Sequence, residues 1–239
     1  MALPPDHISR TAVGAGEAQR PPEPAREWLV WQLADSAFPT GGFAHSAGLE
    51  AAWQHGELRS ARAVESFIEA SLLQAGYSAL PMVFCAWEEP ERWRELDALC
   101  EAFTANHVAN RASRLQGRAL LASARRIFRD LLVPDIEAVP AGHLAPIFGR
   151  VFAALGVGRD ETGRLFLFQQ LRSLVAAAVR LGVVGPLEGQ SIQSRLAVPA
   201  ERLYQRCRTL GLDDIAQTAP LQDLWQGTQD RLYSRLFQS

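Results

Sequence analysis

The chain has 239 residues and a formal net charge of −2, long enough to build its own core and too nearly neutral to attract nucleic acid or anionic lipid. All 24 of its basic residues are Arg, which excludes a P-loop nucleotidase, a Schiff-base lysine and a PLP enzyme of the usual kind. The three cysteines, Cys85, Cys100 and Cys207, are widely spaced and read as small buried or half-buried thiols, not as a disulfide framework or a zinc site.

Residues 1–25 are rich in Pro, Gly, Ala and charge, end in Arg20-Pro21-Pro22-Glu23-Pro24, and show no apolar period. They read as a disordered arm, with order expected from Arg26. Asp6 and Pro4-Pro5 stand where a secretory signal needs a charged and then an apolar segment, and no apolar run approaches the ~20 residues of a membrane span. A soluble, cytoplasmic protein is expected.

From residue 26 onward the composition is helical, with Leu, Ala, Arg, Glu and Gln prominent and no alternating strand pattern. Helices are expected at about 27–35, 43–55, 60–76, 80–88, 90–106, 108–129, 143–155, 164–182, 187–197, 199–209 and 220–234. Ser60 is placed to cap the third of these and Asp160 to cap the one that includes 164–182. Pro39 to Gly42, Pro90, Pro134 to Gly142, Gly156 to Gly158, Pro199 and Pro220 are the expected breaks. Short connections of this kind predict an all-α, single-domain bundle of about ten helices over 26–239.

Candidate chemistry is sparse. None of the five histidines forms an i, i+4 pair of the kind that holds a metal on a helix. Cys100 and His107 could share a helical face, but at about 1.5 Å per residue they stand roughly 10 Å apart along the axis, too far for one ion. Ala44-His45-Ser46-Ala47-Gly48 nearly matches a nucleophile elbow, yet it follows a turn where the elbow needs a strand. A small hydrolase using Ser46 and His45 is therefore a weak alternative. Pro39 and Gly41-Gly42 suit a sharp turn into a helix, either a plain connection or a place where free backbone N–H groups meet a partner. Arg111, Arg114 and Arg118 share one helical face, followed by Arg125, Arg126 and Arg129. Such a face is either simply solvated or a dock for an acidic partner. The last stretch, with Leu221, Leu224, Trp225, Leu232, Tyr233, Leu236 and Phe237, is apolar enough to need burial in the fold or against another chain.

Four stretches taken in order resemble one family. The run from Trp31 through Phe38-Pro39-Thr40-Gly41-Gly42-Phe43-Ala44-His45-Ser46-Ala47-Gly48-Leu49-Glu50 is similar to the hallmark near the start of UreF urease accessory proteins. Gln74 to Pro81, Val179-Arg180-Leu181-Gly182 through Gly185-Pro186 to Gln190, and the ending Leu232 to Ser239 agree with it. The resemblance implies an all-α, dimeric, non-catalytic scaffold. It would bridge UreD (UreH in some organisms) and the GTPase UreG, and the assembly would deliver nickel to apo-urease. It further implies that no cofactor is held tightly by this chain, that UreG's GTPase is modulated, and that a nickel-binding chaperone acting alone is the alternative. Partner contacts are implied at Pro39, Gly41, Gly42, Phe43, His45, Ser46, Gly48, Arg180, Arg235, Leu236 and Phe237. The tail around Arg235 would become ordered against the glycine turn on binding UreD/UreH, with Arg180 near a UreG-facing surface. Gln229 departs from the family, which often has His there.

Overall fold

The structure is a computed structural model and describes residues 23–129 and 140–239. Of the arm expected over residues 1–25, residues 1–22, with His7, lie outside the described residues, as does most of the break expected from Pro134; residues 23–25 already belong to the first helix, so order begins three residues earlier than expected. Ten α-helices and no strand occur among the described residues: α1 Glu23–Ala34, α2 Leu49–Gln54, α3 Ala61–Ser78, α4 Leu80–Glu88, α5 Trp93–Phe103, α6 His107–Ile127, α7 Leu144–Ala154, α8 Arg159–Arg180, α9 Pro186–Cys207 and α10 Pro220–Gly227. The all-α expectation is met.

Local sequence explains most starts. The Ser60 hydroxyl accepts from the N–H of Ala63 at 3.2 Å, and the Asn106 side chain accepts from Val108 and Ala109, so α3 and α6 each begin on a capping side chain. The start of α8 differs from expectation. Gly158, not Asp160, is its cap residue, and Glu161 reaches back to accept the Gly158 N–H at 3.3 Å. Asp160 is the second residue of the helix, where its carboxylate accepts the Tyr204 hydroxyl at 2.7 Å. That bond, with the nearby arginines, holds Asp160 below the usual carboxylate range.

α9 also departs from expectation. Pro199 was expected to divide it, yet the helix runs unbroken from Pro186 to Cys207. A proline removes one helical hydrogen bond, but Ile192 and Leu196 before it and Leu203, Tyr204 and Cys207 after it all face the core. Packing on α3 and α8 keeps the two halves in line, and Val198 points outward.

The core is one large apolar cluster running from Leu33 to Cys207, with a small second cluster of Cys85, Ala86 and Leu96. α4 crosses α7 at its centre, α6 covers α7, and α3, α8 and α9 pack together on the other side. The α4–α7 crossing is tight because Gly149 has no side chain: a Cβ there would stand 2.1 Å from the Val83 carbonyl oxygen. Behind it, buried Asp97 accepts the N–H groups of Ala141, Gly142 and His143 at 2.8–3.1 Å and fixes the loop that leads into α7. α1 is clipped to α8 by the Arg26–Glu161 ion pair, by Gln169 on the Leu33 carbonyl at 3.0 Å, and by Arg172 on the Ala34 carbonyl.

Candidate functional site

The helix expected over 43–55 is divided. Gly42–Ala44 makes one 3-10 turn, His45 is extended, and α2 starts only at Leu49. The break has a backbone cause: Ala47 and Gly48 both take left-handed φ values, 49° and 85°. Glycine is needed at 48 for a second reason, since a Cβ there would meet Gln226 of α10 at 3.0 Å.

The division turns the 44–46 backbone toward the end of the chain. After α10 the chain makes one 3-10 turn, Gln229–Arg231, and then extends, where a helix to 234 was expected. The extended tail lies along the turn. Gln238 donates its N–H to the Ala44 carbonyl at 2.8 Å, and Ser46 donates its N–H to the Ser239 carbonyl. The Ser46 hydroxyl donates to that same carbonyl at 3.0 Å, and His45 Nδ1 lies 2.6 Å from the Ser239 hydroxyl. Gln54 holds the Ser234 carbonyl at 2.8 Å.

At the centre is Glu50, only 1% exposed. Its two carboxylate oxygens accept the N–H of Leu236 at 2.6 Å, the N–H of Phe237 at 3.0 Å and the Gln229 side-chain amide at 2.7 Å. A buried carboxylate tolerates burial when its lone pairs are filled in this way. Gln229 is itself fully buried and also donates to the Phe237 carbonyl at 3.3 Å. Gln229 thus acts as a neutral clamp of the chain on its own tail.

From the other side, Arg180 at the end of α8 closes the site. Its guanidinium carbon lies 3.7 Å from the Phe43 ring centroid and 4.3 Å from that of Phe237, and it donates to the Phe43 carbonyl. Two such contacts with one cation hold turn, helix end and tail together. Pro39, Gly41, Gly42, Phe43, Arg180 and Phe237 line one cavity of about 170 Å³.

Burial sets the electrostatics of the turn. His45 is buried and its imidazole is held down at about 4, first by loss of solvent and then by the charge of Arg111. It is neutral at pH 7.

The structure therefore brings together most of the residues expected to contact partners. Phe43, His45, Ser46, Arg180, Leu236 and Phe237 meet at one place, Gly48 forms its floor, and Pro39 anchors the turn by accepting the Ser123 hydroxyl at 2.8 Å. Arg235 points elsewhere, to Asp230 at 3.1 Å. The tail meets the turn within this one chain, and Arg180 touches the tail directly.

Sequence reasoning missed Glu50 as a site residue. The available signal was a carboxylate set inside the apolar run Leu49 to Ala52. Asp230 was missed as well. It accepts Arg111 through both oxygens at 2.8 and 3.0 Å, Arg235, and His107 at 3.3 Å.

The chemical alternatives fare poorly. His45 and Ser46 each bond to Ser239, and neither bonds to the other, so the nucleophile–base geometry of a hydrolase is absent there. Cys100 lies in α5, its thiol on the Met82 sulfur, whereas His107 opens α6 beside Asp230. They do not share a helix. Among the described residues no group of three or more His, Cys, Asp or Glu is placed to hold a metal ion, and no helix is long and apolar enough to cross a membrane.

What remains is an all-helical protein whose distinctive region is a docked tail with apolar side chains left in solvent. The UreF family model matches residues 58–197. The chain is 39% identical to urease accessory protein F of Oryza sativa subsp. indica, over 88% of this chain and 84% of that protein. It is 38% identical to urease accessory protein F of Arabidopsis thaliana, over 88% and 92%. It is 30% identical to urease accessory protein UreF of Trichodesmium erythraeum, over 89% and 97%. The chain belongs to the UreF family of urease accessory proteins, which places its role in urease maturation.

Proposed function

We propose that this chain is a non-catalytic cytoplasmic scaffold, acting as a homodimer, that binds UreD/UreH through the turn–tail surface and presents a second surface to UreG. The assembly delivers nickel, as cargo, to apo-urease, and the scaffold modulates UreG's GTPase without holding a cofactor of its own. The observation that carries this reading is the large apolar side chains left exposed on a turn and tail that are otherwise fastened down. Phe43 is 71% exposed although its ring meets Arg180, Tyr233 and Leu236 are exposed in the tail, and Leu221 and Leu224 are exposed on α10, the helix before it. An ordered segment that keeps large apolar side chains in water supports a docking role.

The test is co-purification of the chain with UreD/UreH and UreG, with and without residues 221–239. The reading predicts a ternary complex that is lost on truncation. A full-length chain that binds neither protein would overturn it.

A further inference from the structure

On the side of the molecule reached by Arg235, α5 and α6 border an open cleft of about 630 Å³. Its wall is the α6 face that carries Arg111, Arg114 and Arg118 at spacings of three and four. Each arginine has a contact within the chain, but the contacts differ in kind. Arg111 is neutralised by both oxygens of Asp230. Arg114 has its nearest carboxylate oxygen, from Glu101, at 4.0 Å, and Glu101 is already bonded to His143 at 2.8 Å. Arg118 donates to the carbonyl oxygens of Ala141 and Pro140, both at 2.9 Å. Those acceptors are neutral, so they fix the guanidinium in place without cancelling its charge. Arg118 therefore faces the cleft with no carboxylate partner among the described residues, and Arg114 faces it with only the distant Glu101 carboxylate, which it shares with His143. Between them Leu115, also lining the cleft, is 47% exposed.

We propose that this cleft is a second docking surface, separate from the turn–tail site, and that it takes an acidic segment of a partner protein in which carboxylates flank an apolar side chain. Charge complementarity selects the acidic residues, because Arg forks pair with carboxylates. Leu115 selects a peptide over a small anion, since a phosphate makes no use of an apolar contact. The chain's net charge of −2 argues against a polyanion such as nucleic acid, whose binding needs a broad positive field. The segment reaches Arg111 last, because there it must compete with Asp230.

The test is fluorescence anisotropy of the full chain with a labelled peptide of the repeat Glu-Leu-Glu-Glu. Binding is expected at low salt and weakens as salt rises. The double variant R114E/R118E should bind about tenfold or more weakly, while R202E/R206E, a reversal of exposed charge on α9, keeps the affinity of the unmodified chain. Helical circular dichroism confirms that both variants fold. The proposal is overturned if the unmodified chain does not bind the peptide, if R114E/R118E binds it equally well, or if R202E/R206E loses it to the same degree. It is also overturned if inorganic phosphate displaces the peptide at an ionic strength where chloride does not, which would make the cleft a small-anion site.

Discussion

The α4–α7 crossing and the seat of the tail on the glycine turn are both buried, but different physics holds them. The crossing is apolar packing brought close by a missing side chain, with Gly149 set against the Val83 carbonyl. The tail is held by a buried carboxylate, a buried amide, a few backbone hydrogen bonds and one arginine laid against two rings. The first arrangement is cooperative with the whole core. The second involves a handful of directional contacts at the end of the chain and can open without unfolding the rest. The surface proposed to dock a partner is built from the second kind.

The comparison can be broken at either end. The largest effect is expected at the crossing: Gly149→Ala forces backbone apart and should lower the unfolding free energy by about 3 kcal/mol, read as a lower denaturant midpoint. Glu50→Ala leaves two backbone N–H groups and the Gln229 amide without their acceptor. It should cost the docked tail about 2 kcal/mol, seen as faster hydrogen exchange at Leu236 and Phe237 with little change in the global midpoint. A smaller loss, about 1 kcal/mol of tail docking, is expected for Arg180→Ala, and Tyr233→Ala, an exposed position, should leave docking unchanged.

pH sharpens the contrast. His45 is held at about 4 in the docked state, against an ordinary 6.5 when released. The released state therefore binds the proton first. Docking is at full strength above about 6.5 and weakens as pH falls from there through about 4. Tail-amide protection, corrected for the intrinsic exchange rate at each pH, should fall over that window in the unmodified chain, and His45→Gln should flatten the early part of the fall.

The two regions also differ in how far their sequence reveals them. Helices of the core announce themselves: Val64, Phe67, Ile68 and Leu72 lie at helical spacing behind Ser60, and α3 forms there. Pro199 misleads because a local rule about proline is outweighed by apolar residues on both sides that face one core. The turn–tail site carries no periodic signal at all. Its members come from residues 39–54, Arg180 and 229–239, and only the resemblance to a family marked most of them out. Glu50 escaped even that, because its importance depends on which distant N–H groups the fold brings to it. The arginines of α6 were visible as a face, but not their division between a neutralised Arg111 and the undercompensated Arg114 and Arg118, which depends on Asp230 and on the loop before α7.

The most direct test of the account is binding of UreD/UreH to the unmodified chain and to Glu50→Ala, side by side with their unfolding curves. If the docked tail is part of the surface that UreD/UreH meets, as proposed, the variant keeps its denaturant midpoint and loses most of its affinity. Equal affinity of the two chains, with tail-amide exchange showing that the variant's tail has come loose, would contradict it.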